Sequence, residues 1–251
     1  MSEFAGMTVL ITGGGSGIGL ATARRLVEGG GEVVLAGRDA ARLEAAAREL
    51  DGGDRVLTVR ADVSRVADLD GLTDEIGRRY GRLTGVFANA GVPHAGRVAD
   101  VTEDDYETVV GANLKGTFFT VQKALPLMED GGSVVLNGSW LAHRGAAMGS
   151  LYAASKAAVL SLAQTLAPDL AERGIRVNAI TPGHVQTPML DTVTMGSDQV
   201  REFFRSQVAL GRIGDPAEIA ETVIFLLSKR ASYITGQEFI VDGGLVNSIP
   251  A

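Results

Sequence analysis

Tyr152 and Lys156 stand four residues apart in the alanine-rich stretch Leu151-Tyr-Ala-Ala-Ser-Lys-Ala-Ala. On a helix that spacing puts a phenol and an ammonium on one face. A free tyrosine has a pKa of about 10, too high for an efficient acid/base near neutral pH. A neighbouring cation favours the phenolate and brings that value down, toward the working pH where proton transfer is most efficient. The pair is therefore a candidate device for moving one proton to or from an oxygen. Taken alone, Tyr-x-x-x-Lys more often means a surface tyrosine beside a surface lysine. Ser139 adds weight. It follows the apolar run Val134-Val135-Leu136, at what reads as the C-terminal end of a strand, the edge where open α/β sheets bind ligands.

Short apolar runs alternate with longer amphipathic segments along the whole chain. The pattern predicts strands at Met7–Thr12, Glu32–Ala36, Arg55–Arg60, Gly85–Ala88, Ser133–Asn137, Ile175–Ile180 and Glu238–Val241. It predicts helices at Ser16–Gly29, Asp39–Leu50, Val66–Tyr80, Glu103–Leu125, Leu151–Arg173 and Pro216–Leu227. Nearly all-apolar strands that alternate with helices imply an α/β fold, a doubly wound and mainly parallel sheet covered on both faces. No linker, repeat or low-complexity tract interrupts the chain, so residues 1–251 read as one domain. His184–Gly214 departs from the alternation and is long for a connection, as lids often are. Its apolar residues Met189, Leu190, Val193, Met195, Phe203 and Phe204 would close over a ligand, fill the core or meet another subunit.

Between the first strand and first helix lies Thr12-Gly13-Gly14-Gly15-Ser16-Gly17-Ile18-Gly19. Glycine lets the backbone turn sharply and approach a pyrophosphate without a Cβ in the way. The helix that follows then points free N–H groups at the anion. Glycine clusters are common, but this one opens a βαβ unit, the context a dinucleotide site requires.

The bulk properties narrow the classes. A net charge of −7 spread along the chain argues against a general nucleic-acid binder, which needs a basic footprint. With no cysteine, thiolate chemistry, disulfides and cysteine-ligated metals are excluded. No His/Asp/Glu group has metal-ligand spacing, so no catalytic metal is expected. Neither a signal-like N-terminus nor an apolar run of about 18 residues is present, so a cytoplasmic protein that does not span a membrane is expected.

In their order and spacing, Thr12–Gly19, Asp62-Val63, Asn89-Ala90-Gly91, Asn113, Ser139, Tyr152-x-x-x-Lys156, Pro182-Gly183 and Val241-Asp242-Gly243-Gly244 resemble the short-chain dehydrogenase/reductase family over essentially the whole chain. The resemblance implies a Rossmann-like, seven-stranded fold and hydride transfer between a nicotinamide and a carbonyl or secondary alcohol. It implies catalytic roles for Asn113, Ser139, Tyr152 and Lys156. Ser139 would polarise the substrate carbonyl, Lys156 would hold the nicotinamide ribose, and Asn113 would belong to a proton relay from Tyr152 to water. Gly13, Gly15, Ser16, Gly17, Ile18 and Gly19 would cradle the pyrophosphate. Asp62 and Val63 would meet the adenine, and Asn89, Ala90 and Gly91 would form the floor. Pro182, Gly183, Val185 and Thr187 would hold the carboxamide. A dimer or tetramer built on the two long helices is the family's usual assembly, so a homo-oligomer is expected.

The strand Glu32–Ala36 ends in Gly37-Arg38-Asp39. An NAD-specific site usually has an acidic residue at that end; here the position falls on Gly37, and Arg38 can grip a 2′-phosphate. NADPH is thus the expected cofactor. Asp39 would favour NAD if it served the ribose, but aspartate is a preferred helix N-cap. His94, Trp140 and Met189 are candidate substrate contacts. Trp140 would wall the pocket or pack at a subunit contact, while His94 and His143 read as polar loop residues rather than catalytic groups. Two functional classes follow: a ketone reductase, of beta-ketoacyl or specialised-metabolite type, or a dinucleotide-sensing regulator that lost the chemistry. A sensor needs no Ser139, Tyr152 and Lys156 together, which favours the enzyme.

Overall fold

The computed structural model describes residues 3–248. Strands β1 (Thr8–Thr12), β2 (Glu32–Gly37), β3 (Val56–Arg60), β4 (Leu83–Ala88), β5 (Met128–Asn137), β6 (Arg176–Pro182) and β7 (Glu238–Val241) form one sheet. Its order is β3-β2-β1-β4-β5-β6-β7, and every neighbouring pair is parallel. The apolar residues of each strand are shared between two cores. In β1, Val9 and Ile11 enter one cluster and Leu10 the other. Helices α1 (Gly17–Glu28), α2 (Ala40–Leu50) and α9 (Pro216–Leu227) cover the first face. Helices α3 (Val66–Arg79), α5 (Gly116–Ala124) and α6 (Ser150–Leu170) cover the second. Burial on both sides is the reason these strands read as continuous apolar runs.

Three details depart from the sequence expectation. The helix expected over Glu103–Leu125 is broken. Helix α4 (Glu103–Val110) passes through a wide π turn, Gly111–Lys115, before α5 begins. The turn forms where the Asn113 amide is drawn sideways into hydrogen bonds with a neighbouring loop, and Thr117 Oγ1 donates to the Asn113 carbonyl at 2.7 Å. Strand β5 begins at Met128 rather than Ser133, with a register shift against β4 between Leu83 and Gly85. The 184–214 segment folds into α7 (Pro188–Thr194) and α8 (Asp198–Ser206), joined at Met195 and Gly196, both at positive φ (50° and 70°).

The chain winds from β1 out to β3, then crosses back to β4 on the other side of β1. The loops leaving β1 and β4 therefore diverge, and such a switch point opens a crevice at the carboxyl ends of the strands. Among the described residues no helix is long and apolar enough to cross a membrane.

Candidate active site

A cavity of about 290 Å³ lies at the switch point. Its wall includes Gly13, Gly15, Ser16, Gly17, Ile18, Arg38, Asp62, Val63, Asn89, Ala90, Gly91 and Thr187. Glycine is required in the turn after β1. Gly13 has φ 68°, and a Cβ there would lie 2.8 Å from Asn89 Nδ2; at Gly17 (φ 54°) it would lie 3.0 Å from Thr187 Cγ2. Gly19 is not on the wall. A Cβ on it would sit 2.5 Å from the Gly13 carbonyl oxygen, so its role is to let α1 press against the turn. Ser16 caps α1 by position without a side-chain cap bond, leaving its hydroxyl and the first-turn N–H groups as free donors, which is what an anion needs. Asn89 braces the turn: Nδ2 donates to the Thr12 carbonyl at 2.9 Å, and its backbone N–H donates to Thr12 Oγ1 at 3.0 Å.

At the rim, the Asp39 carboxylate caps α2 and accepts the Arg42 N–H at 3.0 Å, so the cap role read from sequence is the one it has. Arg42, which sequence reasoning missed, joins Arg38 on the wall; only the phase of α2 would have revealed it. Asp62 accepts the Ser64 N–H at 3.0 Å and the Ser64 hydroxyl at 2.8 Å. Burial raises the Asp62 pKa, but these bonds and the charges of Arg38 and Arg65 outweigh it and hold the carboxyl below its ordinary range.

The acid/base group stands beside this cavity. Ser139 leaves the end of β5 and lines the same cavity as the Tyr152 phenol, whose pKa its hydroxyl acts to lower; Leu141 N–H approaches its Oγ at 3.3 Å. Lys156 is buried on α6, and its Nζ donates to the Asn137 carbonyl at 2.7 Å and lies 5.9 Å from the Tyr152 ring centre. Burial brings the Lys156 ammonium down to about 8, so it stays mainly protonated at neutral pH. Burial also pushes the Tyr152 phenol up, with the Ser139 hydroxyl working the other way. The lowered phenol expected from the lysine's proximity is therefore not the state of the protein alone. Burial dominates, and Tyr152 is held as an acid. Asn113 is fully buried. Its Oδ1 accepts the Val92 N–H at 2.8 Å, and its Nδ2 donates to the Val92 carbonyl and to Ser155 Oγ, both at 3.1 Å. With the amide committed in this way, any relay through Asn113 must use its main chain.

A second cavity of about 590 Å³ adjoins the first and shares Ile18, Asn137, Thr187 and Met189 with it. Ser139, Tyr152, Pro182, Gly183 and Val185 line it, as do the substrate candidates His94, Trp140 and Met189. Residues from 184–208 supply Leu190, Val193, Phe203 and Phe204 to the same wall. His143 is turned away, its Nε2 2.6 Å from Glu238 Oε1. His184 was not foreseen. Its buried ring stacks on Phe204 (centres 4.3 Å apart) and meets Trp140 edge-on at 5.0 Å. Burial, helped by the nearby Arg144 charge, lowers its pKa to about 4, so the ring is neutral. Trp140 thus walls the pocket.

A glycine cradle beside free helix N–H groups, opening onto a Ser–Tyr–Lys acid, defines a dinucleotide-dependent oxidoreductase. The donors and the Cβ-free turn fit a pyrophosphate, and Asn137 Oδ1, buried without a partner at the shared wall, awaits a hydrogen-bond donor. A family profile described as enoyl-(acyl carrier protein) reductase matches residues 13–246. "Oxidoreductase asL5" of Sarocladium schorii is 39% identical, covering 98% of each chain. The 3-oxoacyl-[acyl-carrier-protein] reductase FabG of Thermotoga maritima is 36% identical over 96% of this chain and 98% of its own. The crystal structure of a levodione reductase superposes with a TM-score of 0.93 at 36% identity, covering 98% of this chain and 100% of that one. The chain belongs to the short-chain dehydrogenase/reductase family. It is an oxidoreductase that transfers hydride between a nicotinamide cofactor and a CH–OH or carbonyl carbon of a small molecule.

Proposed function

We propose that the protein reduces ketones at the expense of NADPH. The observation that carries this reading is Tyr152. Half-buried, placed beside Ser139 on the cavity wall and kept protonated, it is ready to donate a proton into a largely apolar cavity. When bound, NADPH supplies the hydride to the carbonyl carbon. Ser139 donates a hydrogen bond to the carbonyl oxygen and fixes its position. Tyr152 hands its proton to that oxygen as it gains negative charge. Lys156, anchored on the Asn137 carbonyl, keeps a positive charge close to the phenol and eases the loss of its proton.

The preference for NADPH over NADH rests on the rim. Arg38 and Arg42 line the smaller cavity, and the one carboxylate at the end of β2 is turned into the α2 cap. Arg42 lies 3.7 Å from the capping Asp39 carboxylate, and Arg38 pairs with no acid among the described residues; two guanidiniums at one rim suit a 2′-phosphate. The 184–214 segment acts as the substrate lid, since α7 and α8 contribute apolar side chains to the larger cavity and closure over it excludes water. Homo-oligomer formation through α6 is supported by its exposed face, where Ala154, Ala157, Ser161, Gln164 and Thr165 carry no charge.

The test is NADPH consumption against a panel of ketones by parent and Tyr152→Phe. The variant should keep NADPH affinity and lose about 10²–10⁴-fold in single-turnover rate. A rate within a few-fold of the parent rejects Tyr152 as the proton donor.

A further inference from the structure

The larger cavity holds one cation and no acid. Arg144 is on its wall, and none of the wall residues is Asp or Glu. Two arginines of the neighbouring segment are matched by acids: Arg201 pairs with Asp191, and Arg212 with Glu218 at 2.6 Å. Arg144 forms no such pair among the described residues. Its hydrogen bond is from Nη1 to the Leu245 carbonyl at 2.5 Å, which anchors one edge of the guanidinium and leaves the other N–H donors uncommitted. The residue is half-buried and belongs to the same loop as Ser139, with its own N–H on the Trp140 carbonyl at 3.2 Å. The groups around it add no second charge. His184 is neutral, and Trp140, Phe204, Leu141 and Met148 are apolar or aromatic.

A guanidinium held on a cavity wall with uncommitted N–H donors and no carboxylate of its own suits a ligand that supplies one; Arg176, by contrast, is buried with both Nη atoms taken up by the Leu226 and Ser228 carbonyls. We propose that the physiological substrate is an apolar ketone carrying an anionic oxygen group, a carboxylate or a chemically similar acid, and that Arg144 binds this group while Ser139 and Tyr152 hold the carbonyl. The fork of a guanidinium meets two carboxylate oxygens with paired, charge-assisted hydrogen bonds. Such a contact at one end of the cavity fixes which face of the ketone is offered to the cofactor. The inference deepens the ketone-reductase reading and rests on it for the chemistry, though not for the binding.

Trp140 is the single tryptophan of the chain and lies on the cavity wall, so its fluorescence reports occupancy without turnover. Keto acids of graded length, such as 4-acetylbenzoate and 4-oxo-4-phenylbutanoate, are titrated into parent, Arg144→Met and Arg144→Lys proteins beside their methyl esters, at pH 7. For the acids whose length fits, the parent should bind the acid at least about tenfold tighter than its ester. Arg144→Met should abolish that preference while leaving ester affinity within a few-fold, and Arg144→Lys should restore part of it. The discrimination should weaken as salt is raised. Equal binding of acids and esters throughout the series overturns the proposal, as does an Arg144→Met loss that is the same for both. NADPH turnover is measured separately. Selective acid binding without reduction of any ketone upholds Arg144 and rejects the reductase reading; reduction of esters and acids alike does the reverse.

Discussion

Replacing His184 by phenylalanine should make the protein less sensitive to acid. The imidazole lies buried between Phe204 and Trp140, and its pKa falls from 6.5 to about 4. A histidine that must stay neutral to remain folded binds its proton more readily in the unfolded chain. Stability is then lost as pH falls from the unfolded value toward the folded one. The full difference is worth about 3 kcal/mol, of which about 2 kcal/mol is expressed between pH 7 and pH 5. Phenylalanine preserves a flat ring against Phe204 and has nothing to titrate. Urea unfolding of parent and His184→Phe at pH 7, 6 and 5, with His184→Leu as a second neutral replacement, isolates this group from every other that titrates. The parent-minus-variant difference should move by about 2 kcal/mol in the variants' favour over that range. A difference that stays constant with pH would falsify the neutral, buried assignment and mean that His184 gains its proton in the folded state without penalty.

Gly19→Ala should destabilise the protein by about 1–3 kcal/mol through overpacking and weaken dinucleotide binding, because the new methyl is driven against the Gly13 carbonyl; unchanged NADPH affinity in a calorimetric titration contradicts this. Asn113→Ala strips partners from both polar groups of the Val92 backbone, while the Ser155 hydroxyl keeps its own bond to the Tyr152 carbonyl. At about 1–3 kcal/mol per stranded group, the urea midpoint should drop sharply, and Asn113→Asp should recover only the bond from Val92 N–H. Arg38→Ala should weaken NADPH by about tenfold or more, about 1.4 kcal/mol, and barely change NADH; equal effects on the two cofactors exclude a contact with the 2′-phosphate.

The strands, the glycine turn and the Ser139, Tyr152 and Lys156 group were legible because each is written locally. An apolar run between turns, a cluster of glycines after a strand and an i, i+4 pair carry their geometry with them. Asp39 was legible for the same reason, since a cap needs only the helix it begins. What escaped is decided across the fold. The π turn depends on Asn113 meeting the Val92 backbone, and nothing in Val109–Leu114 announces that partner. His184 is neutral because Trp140, from the loop after β5, and Phe204, twenty residues on in α8, enclose it. The Tyr152 phenol was expected to fall under the influence of the lysine, yet the depth at which α6 sets it raises it, and depth is a property of the whole packing. His143, read as a polar loop residue, finds its partner in Glu238 of β7, the last strand of the chain.

Asn137 joins parts of the molecule that the chain keeps far apart. Its carbonyl takes the Lys156 ammonium, and its Nδ2 donates to Asn89 Oδ1 at 2.8 Å. Asn89 in turn clasps the Thr12 carbonyl of the glycine turn. The spacing between the proton-handling centre and the anion cradle is thereby gauged by one short side chain, much as a caliper sets a gap, and does not accumulate the tolerance of every strand between them. A ligand spanning that gap meets a dimension set at the carboxyl ends of the strands rather than by the 184–214 segment.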